Sequence, residues 1–113
     1  MDTPDRVRLQ HMLDAAREAI LFVRDRQRHD LANDRMLLLS LVKEIEIIGE
    51  AANQISRTEH ARAPEIPWAQ IVSMRNRLIH AYADVNIEVV WSTVVSDLPA
   101  LVAQLETLLA DNP

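Results

Sequence analysis

Cysteine is absent from the 113 residues, and glycine and lysine occur once each, as Gly49 and Lys43. Without cysteine there is neither a disulfide nor a thiolate metal site, a composition that suits a reducing cytoplasm. With lysine nearly missing, positive charge rests on arginine, which serves forked phosphate contacts and interface ion pairs alike. No apolar run approaches the roughly 20 residues of a membrane-spanning helix. Met1 leads into Asp2-Thr3-Pro4-Asp5 instead of a basic start followed by an apolar stretch, so neither a secretory leader nor a membrane partner is expected. The net charge of -5 argues against sequence-independent adhesion to nucleic acid, which depends on many cations neutralising phosphates together. Any such contact must be local. A chain of this length can bury roughly two-thirds of its unfolded surface and reads as one domain, residues 1–113.

What is present is helical periodicity. Thr3 can cap a first helix with Pro4 at its opening position, and Leu9, Met12, Leu13, Ala16, Ile20 and Val23 then recur at three- and four-residue spacing to near His29. Asp30 or Asn33 can cap a second helix with Leu37, Leu38, Leu41, Ile45, Ile48, Ala52 and Ile55 inward, and Lys43, Glu46 and Glu50 outward. The polar stretch Ser56 to Pro67 reads as the longest connection, and a third helix carries Ile71, Met74 and Leu78 inward until Asp84-Val85-Asn86 interrupts it. A last helix has the stripe Ile87, Trp91, Val94, Leu98, Leu101, Leu105 and Leu108, with Pro99 forcing a kink or a fresh start capped by Asp97. The expected class is all-α, an up-and-down bundle of four to five helices. Gly49 inside the second helix costs it about 1 kcal/mol relative to alanine. Something approaches closely there, either within the bundle or from another subunit.

One stretch carries chemistry. Arg75-Asn76-Arg77-Leu78-Ile79-His80-Ala81-Tyr82 gathers two arginines, an amide, a histidine and the only tyrosine. A guanidinium matches phosphate bidentately, and a neutral imidazole can take a proton from a hydroxyl near pH 7. On a helical wheel Ser73, Asn76, Arg77, His80 and Asp84 share a polar stripe, while Arg75 and Tyr82 lie at the edge of the buried face. Arg75 and His80 would be better joined by two helices facing each other across a twofold axis, which would also supply a second histidine.

Each residue also has a plainer reading. His80 can be a solvated side chain, Arg75 can pair with Glu46 or Glu50, and Tyr82 can be a boundary residue with a wet hydroxyl. His11, His29 and His60 read as surface residues, since no two stand at metal-ligand spacing; no metal and no cofactor are expected. Arg6, Arg17, Arg24 and Arg28 could form a stripe that tracks RNA, although a face paired with Asp and Glu is the better account.

Four separated motifs stand in order: Ile48-Gly49-Glu50-Ala51-Ala52-Asn53, Pro64-Glu65-Ile66-Pro67-Trp68, Met74 to Tyr82, and Val90-Trp91 followed by Asp97-Leu98-Pro99. Together they resemble the HepT toxins of the HEPN superfamily, over nearly the whole chain. The resemblance implies an all-helical homodimer acting as a metal-independent endoribonuclease, the toxin of a type II/VII-like toxin-antitoxin pair, with its site at the dimer interface. It implies Arg75 and His80 as the catalytic pair and Asn76 as the polar residue after the arginine. Because the chain is acidic, affinity for RNA must then come from the cleft, where Arg77 and Arg57 could help bind substrate. The implied partner is a minimal nucleotidyltransferase antitoxin, and Tyr82 is the implied site of AMP addition. The alternative is a non-catalytic HEPN module that binds a nucleotide or a protein as a dimeric scaffold.

Overall fold

The computed structural model describes the backbone of residues 1–81 and 84–111 and the side chains of 1–78 and 84–111. Helix α1 spans Thr3–Phe22, the single-turn α2 Asp30–Asn33, α3 Arg35–Gln54, α4 Arg57–Arg62, α5 Trp68–Val72 and α6 Met74–Leu78. A short antiparallel ribbon follows, β1 at Ile79–Ala81 and β2 at Asp84–Val85. The chain ends in α7, Ile87–Ser92, a π turn over Thr93–Asp97, and α8, Leu98–Asp111. The class is all-α. Four helical layers, α1, α3, α5–α6 and α7–α8, enclose one contiguous core.

The apolar stripes account for that packing. All seven inward positions expected on α3 are buried, as are Ile71, Met74 and Leu78 on α5–α6 and Val94, Leu98, Leu101, Leu105 and Leu108 along the last layer. Each fully buried leucine or isoleucine contributes about 1.5–3 kcal/mol. The run from Ile87 to Asp111 is long and apolar enough to cross a membrane by length and composition, but its leucine stripe is spent inside the bundle.

Several boundaries differ from expectation. The α1 cap is Asp2, whose carboxylate accepts from the Asp5 amide at 2.8 Å, while Thr3 is already helical. α1 stops at Phe22, seven residues before His29, and the turn after it holds Asp25 at φ 60°. The α3 cap is neither Asp30 nor Asn33 but Asp34, which accepts from the Leu37 amide at 3.0 Å and from Arg26 at 2.8 Å. The third helix breaks at Ser73 and ends at Leu78, where the Asn86 amide donates to the Leu78 carbonyl at 2.7 Å and the β-branched Ile79 and Val85 pair across the ribbon. At Pro99 no fresh helix capped by Asp97 begins. The preceding turn widens instead: the Leu98 amide donates to Thr93 O, five residues back, so the helix continues past a residue with no donor.

A polar clasp ties α1 to α4. Ser56-Arg57-Thr58-Glu59 has the capping-box pattern, and the Ser56 hydroxyl duly accepts from the Glu59 amide at 3.2 Å. The Ser56 amide, however, donates to Asp5 Oδ1 at 2.9 Å and its hydroxyl to Asp5 Oδ2 at 2.6 Å, so a carboxylate from α1 takes the place that Glu59 would fill. Burial alone would raise the Asp5 pKa; the Ser56 bonds outweigh it and hold it below the ordinary value. Glu59 is left buried with Oε2 unpartnered among the described residues and Oε1 3.6 Å from Arg62. His60 is no mere surface residue: its ring stacks on Trp68 at 4.4 Å between centroids, and its Nε2 donates to Ala52 O at 2.9 Å.

Glu44 is the exception in the core stripe of α3. It is buried, its Oε2 lacks a partner among the described residues, and desolvation together with the Glu18 carboxyl on α1 pushes its pKa from 4.5 to about 7. A carboxyl raised in the folded state imposes no cost where both states are protonated, below about pH 4.5, and a growing cost as pH climbs to about 7. Thermal melts followed by circular dichroism across this range are expected to show stability falling as pH rises. Glu44→Gln is expected to flatten that fall and to gain on the order of 1–3 kcal/mol above pH 7.

Candidate functional site

Both Arg75 and Arg77 lie on α6, which is one and a half turns long, and residues two apart on a helix point about 200° away from each other. They therefore serve opposite sides. Arg75 faces α3, where its Nε donates to Glu46 Oε1 at 3.2 Å. Arg77 faces the α7–α8 layer, where it borders two adjoining cavities and makes no ion pair among the described residues. Asn76 is exposed between them, its amide bonded to Ser73 O at 3.0 Å.

The groove on the Arg75 side has a volume of about 240 Å³ and is lined by Glu46, Gly49, Glu50 and Asn53 of α3 together with Val72 and Arg75. Its closeness to α3 depends on Gly49. A Cβ there would stand 3.1 Å from the Ile71 carbonyl oxygen and 3.7 Å from that of Val72, so the approach marked by this glycine lies within the chain. The sequence named Glu46 as one partner for Arg75, and the structure selects it over Glu50. The geometry leaves the guanidinium useful. Nε is the donor engaged, while the two terminal nitrogens, on a side chain 59% exposed, retain the paired N–H edge that matches a phosphate.

His80 belongs to β1 and not to a helix, so the expected one-turn relation between Asn76 and His80 does not hold, nor does the polar stripe running from Ser73 to Asp84. The His80 side chain and the whole of Tyr82 lie outside the described residues. Among those described, no group of three or more His, Asp or Glu side chains converges to hold a metal ion. The α1 arginines do not form a free cationic track: Arg17 pairs with Glu106 at 2.7 Å, Arg28 pairs with Glu88, and Arg24 and Arg28 fall beyond the end of α1. Sequence reasoning passed over Gln70 and treated Asp97 only as a helix cap, although both border the larger cavity beside Arg77.

The model of the HepT-like ribonuclease family matches residues 12–108, which include the groove, α6 and the ribbon. The chain belongs to the HepT-like ribonuclease family. A relative from Caldanaerobacter subterraneus subsp. tengcongensis, provisionally named an RNase, is 33% identical over 109 residues, 96% of either chain. A protein of Thermococcus cleftensis named a probable ribonuclease HepT is 38% identical over 87 residues, 77% of this chain and 79% of its own. A provisionally named RNase of Methanocaldococcus jannaschii is 31% identical over 98 residues, 87% of this chain and 90% of its own. No solved structure matches.

The Glu46 contact restricts the rotamers of Arg75, so its terminal N–H edge is held toward the groove. Glu46→Ala is expected to change stability by less than about 1 kcal/mol, the usual scale of an exposed ion pair. If Arg75 binds the substrate phosphate, kcat on RNA is expected to fall a few-fold, by no more than about fivefold, with KM unchanged or lower because a nearby carboxylate is removed. Glu46→Gln, which can still accept from Nε, should recover most of the loss; steady-state cleavage assays on the three proteins check this.

Proposed function

We propose that this chain is the toxin of a toxin-antitoxin pair, a metal-independent endoribonuclease working in the cytoplasm whose site forms where two copies meet. The observation that carries this reading is Arg75, held by Glu46 in a groove with its terminal N–H edge available, five residues ahead of His80. In one chain that groove offers a single arginine against Glu46 and Glu50, a poor receptor for a phosphodiester. A second copy would add another guanidinium and another imidazole, and so supports a shared site.

The reaction balances without an added cofactor. The RNA 2'-hydroxyl attacks the adjacent phosphorus while one His80 accepts its proton. The bond to the 5'-oxygen breaks, and the second copy's histidine protonates that leaving oxygen, giving a 2',3'-cyclic phosphate and a 5'-hydroxyl. Arg75 stabilises the charge that builds on the nonbridging oxygens, and Asn76 orients His80 or binds phosphate. Neutralisation follows from the same site. A minimal nucleotidyltransferase antitoxin adding AMP to Tyr82, two residues beyond His80, would place bulk and negative charge where the RNA backbone must lie.

Purified protein, verified by intact mass to carry no AMP, is expected to cut RNA in the presence of EDTA. Arg75→Ala and His80→Ala should each lower the rate by about 10²-fold or more with circular dichroism unchanged. Failure of the unmodified dimer to cut any RNA would replace this reading with that of a binding module, in which Arg75 and His80 hold a nucleotide or protein without turnover.

A further inference from the structure

The cavity on the opposite side of α6 from Arg75 is not accounted for by chemistry at the scissile linkage. It has a volume of about 320 Å³ and opens between α5–α6 and the junction of the π turn with α8. Buried Ile71, Met74 and Leu101 line it, and the exposed side chains of Gln70, Arg77 and Asp97 also border it. A second cavity of about 270 Å³ adjoins it and shares both Arg77 and Asp97. Those two side chains border both spaces without forming an ion pair with each other among the described residues, so each is available to a ligand.

We propose that this cavity is a subsite for the nucleotide adjoining the cleaved linkage, taking its base against the apolar wall and its phosphate on Arg77. The inference rests on RNA being the substrate. The larger space lies at the small end of ligand pockets, which run from about 300 to 1,000 Å³, and so suits one nucleotide better than a longer segment. Apolar side chains offer the face of a base a surface free of polar atoms, as single-strand binders do with their stacking platforms. Arg77 supplies a phosphate ligand and forms no ion pair among the described residues, although Asp97 and Glu65 border the same cavity.

Asp97 gives the subsite a preference. It closes the π turn, the widened segment just before Pro99, and a carboxylate accepts hydrogen bonds but donates none. Guanine presents two adjacent donors, N1–H and its 2-amino group, that match both oxygens of a carboxylate; adenine, cytosine and uracil each present a single donor group flanked by an acceptor. Gln70, with both a donor and an acceptor, can satisfy a second position on the base edge. Exposed Asn76 lies between the two sides of α6, so a strand passing over it runs from the Arg75 groove toward the Arg77 cavity.

The test has a binding arm and a cleavage arm. In the first, AMP, GMP, CMP and UMP are titrated into ¹⁵N- and methyl-labelled protein. Shift changes are expected around Met74, Arg77 and Asp97, with GMP several-fold tighter than the others, and Arg77→Ala or Asp97→Asn should remove them. In the second, short RNAs differing only at the base flanking the cut are compared. The wild type should favour guanine there, Asp97→Asn should flatten the preference, and Arg77→Ala should raise KM roughly tenfold with kcat retained. Nucleotides that perturb only the Arg75 groove, or an Asp97→Asn protein with unchanged base preference, would overturn the subsite while leaving the nuclease reading intact. Binding at the cavity by a protein that cuts no RNA would instead remove the nuclease reading and keep the pocket.

Discussion

The height at which α5–α6 rests on α3 is set by one missing side chain. At Gly49 the Ile71 carbonyl oxygen comes so near that even a methyl group would meet it at 3.1 Å, and an α-helix carries this residue at a cost of about 1 kcal/mol. The approach brings the backbone that follows, through Ser73 into α6, down onto the charged edge of α3. Arg75 then reaches Glu46 with its Nε alone. A bulkier residue at 49 would lift α5 and lengthen that reach. The glycine thus belongs to the site although it has no side chain to contribute.

The fold spends acidic residues in two ways. Asp5 is buried and fully bonded, clasping the start of α4 through Ser56, so its charge stabilises the join of α1 to the α3–α4 corner. Glu44 is buried and poorly bonded, with another carboxyl as its neighbour, which is a standing cost to the fold. No contact described for Glu44 explains its place in the core stripe.

Much of the architecture was legible because its cause is local. Positions recurring at three and four residues on α3 and on the last layer face inward as periodicity requires, and Asn86 caps α7 as its residue type favours, whereas α4, capped by Ser56, falls inside the stretch that read as a connection. What was hidden arises from distant partners. The end of α6 at Leu78 depends on an amide eight residues later, and the choice of Asp34 as cap goes with its bond to Arg26 across a turn. Pro99 pointed to a kink or a fresh start, and the structure accommodates its missing donor in a widened turn just before it. Glu44 could have been found: it stands three residues after Leu41 and four before Ile48, on the same face. For the site, the pairing of Arg75 with Glu46 was among the readings open from residue types and the helical wheel already separated Arg77 from Arg75, whereas the cavities that Arg77 borders against the π turn arise from packing between distant segments.

The long-range pairs Arg17–Glu106 and Arg28–Glu88 fasten α1 and the turn after it to the last helical layer. They also match two surface cations with carboxylates on an already acidic protein. A polyanion meeting this surface finds few places to shed its condensed sodium or potassium, and the entropy of that release is the usual engine of indiscriminate attachment. Capture of a strand then depends on fit at a few arginines, and cellular salt should weaken it less than it weakens proteins with broad basic faces.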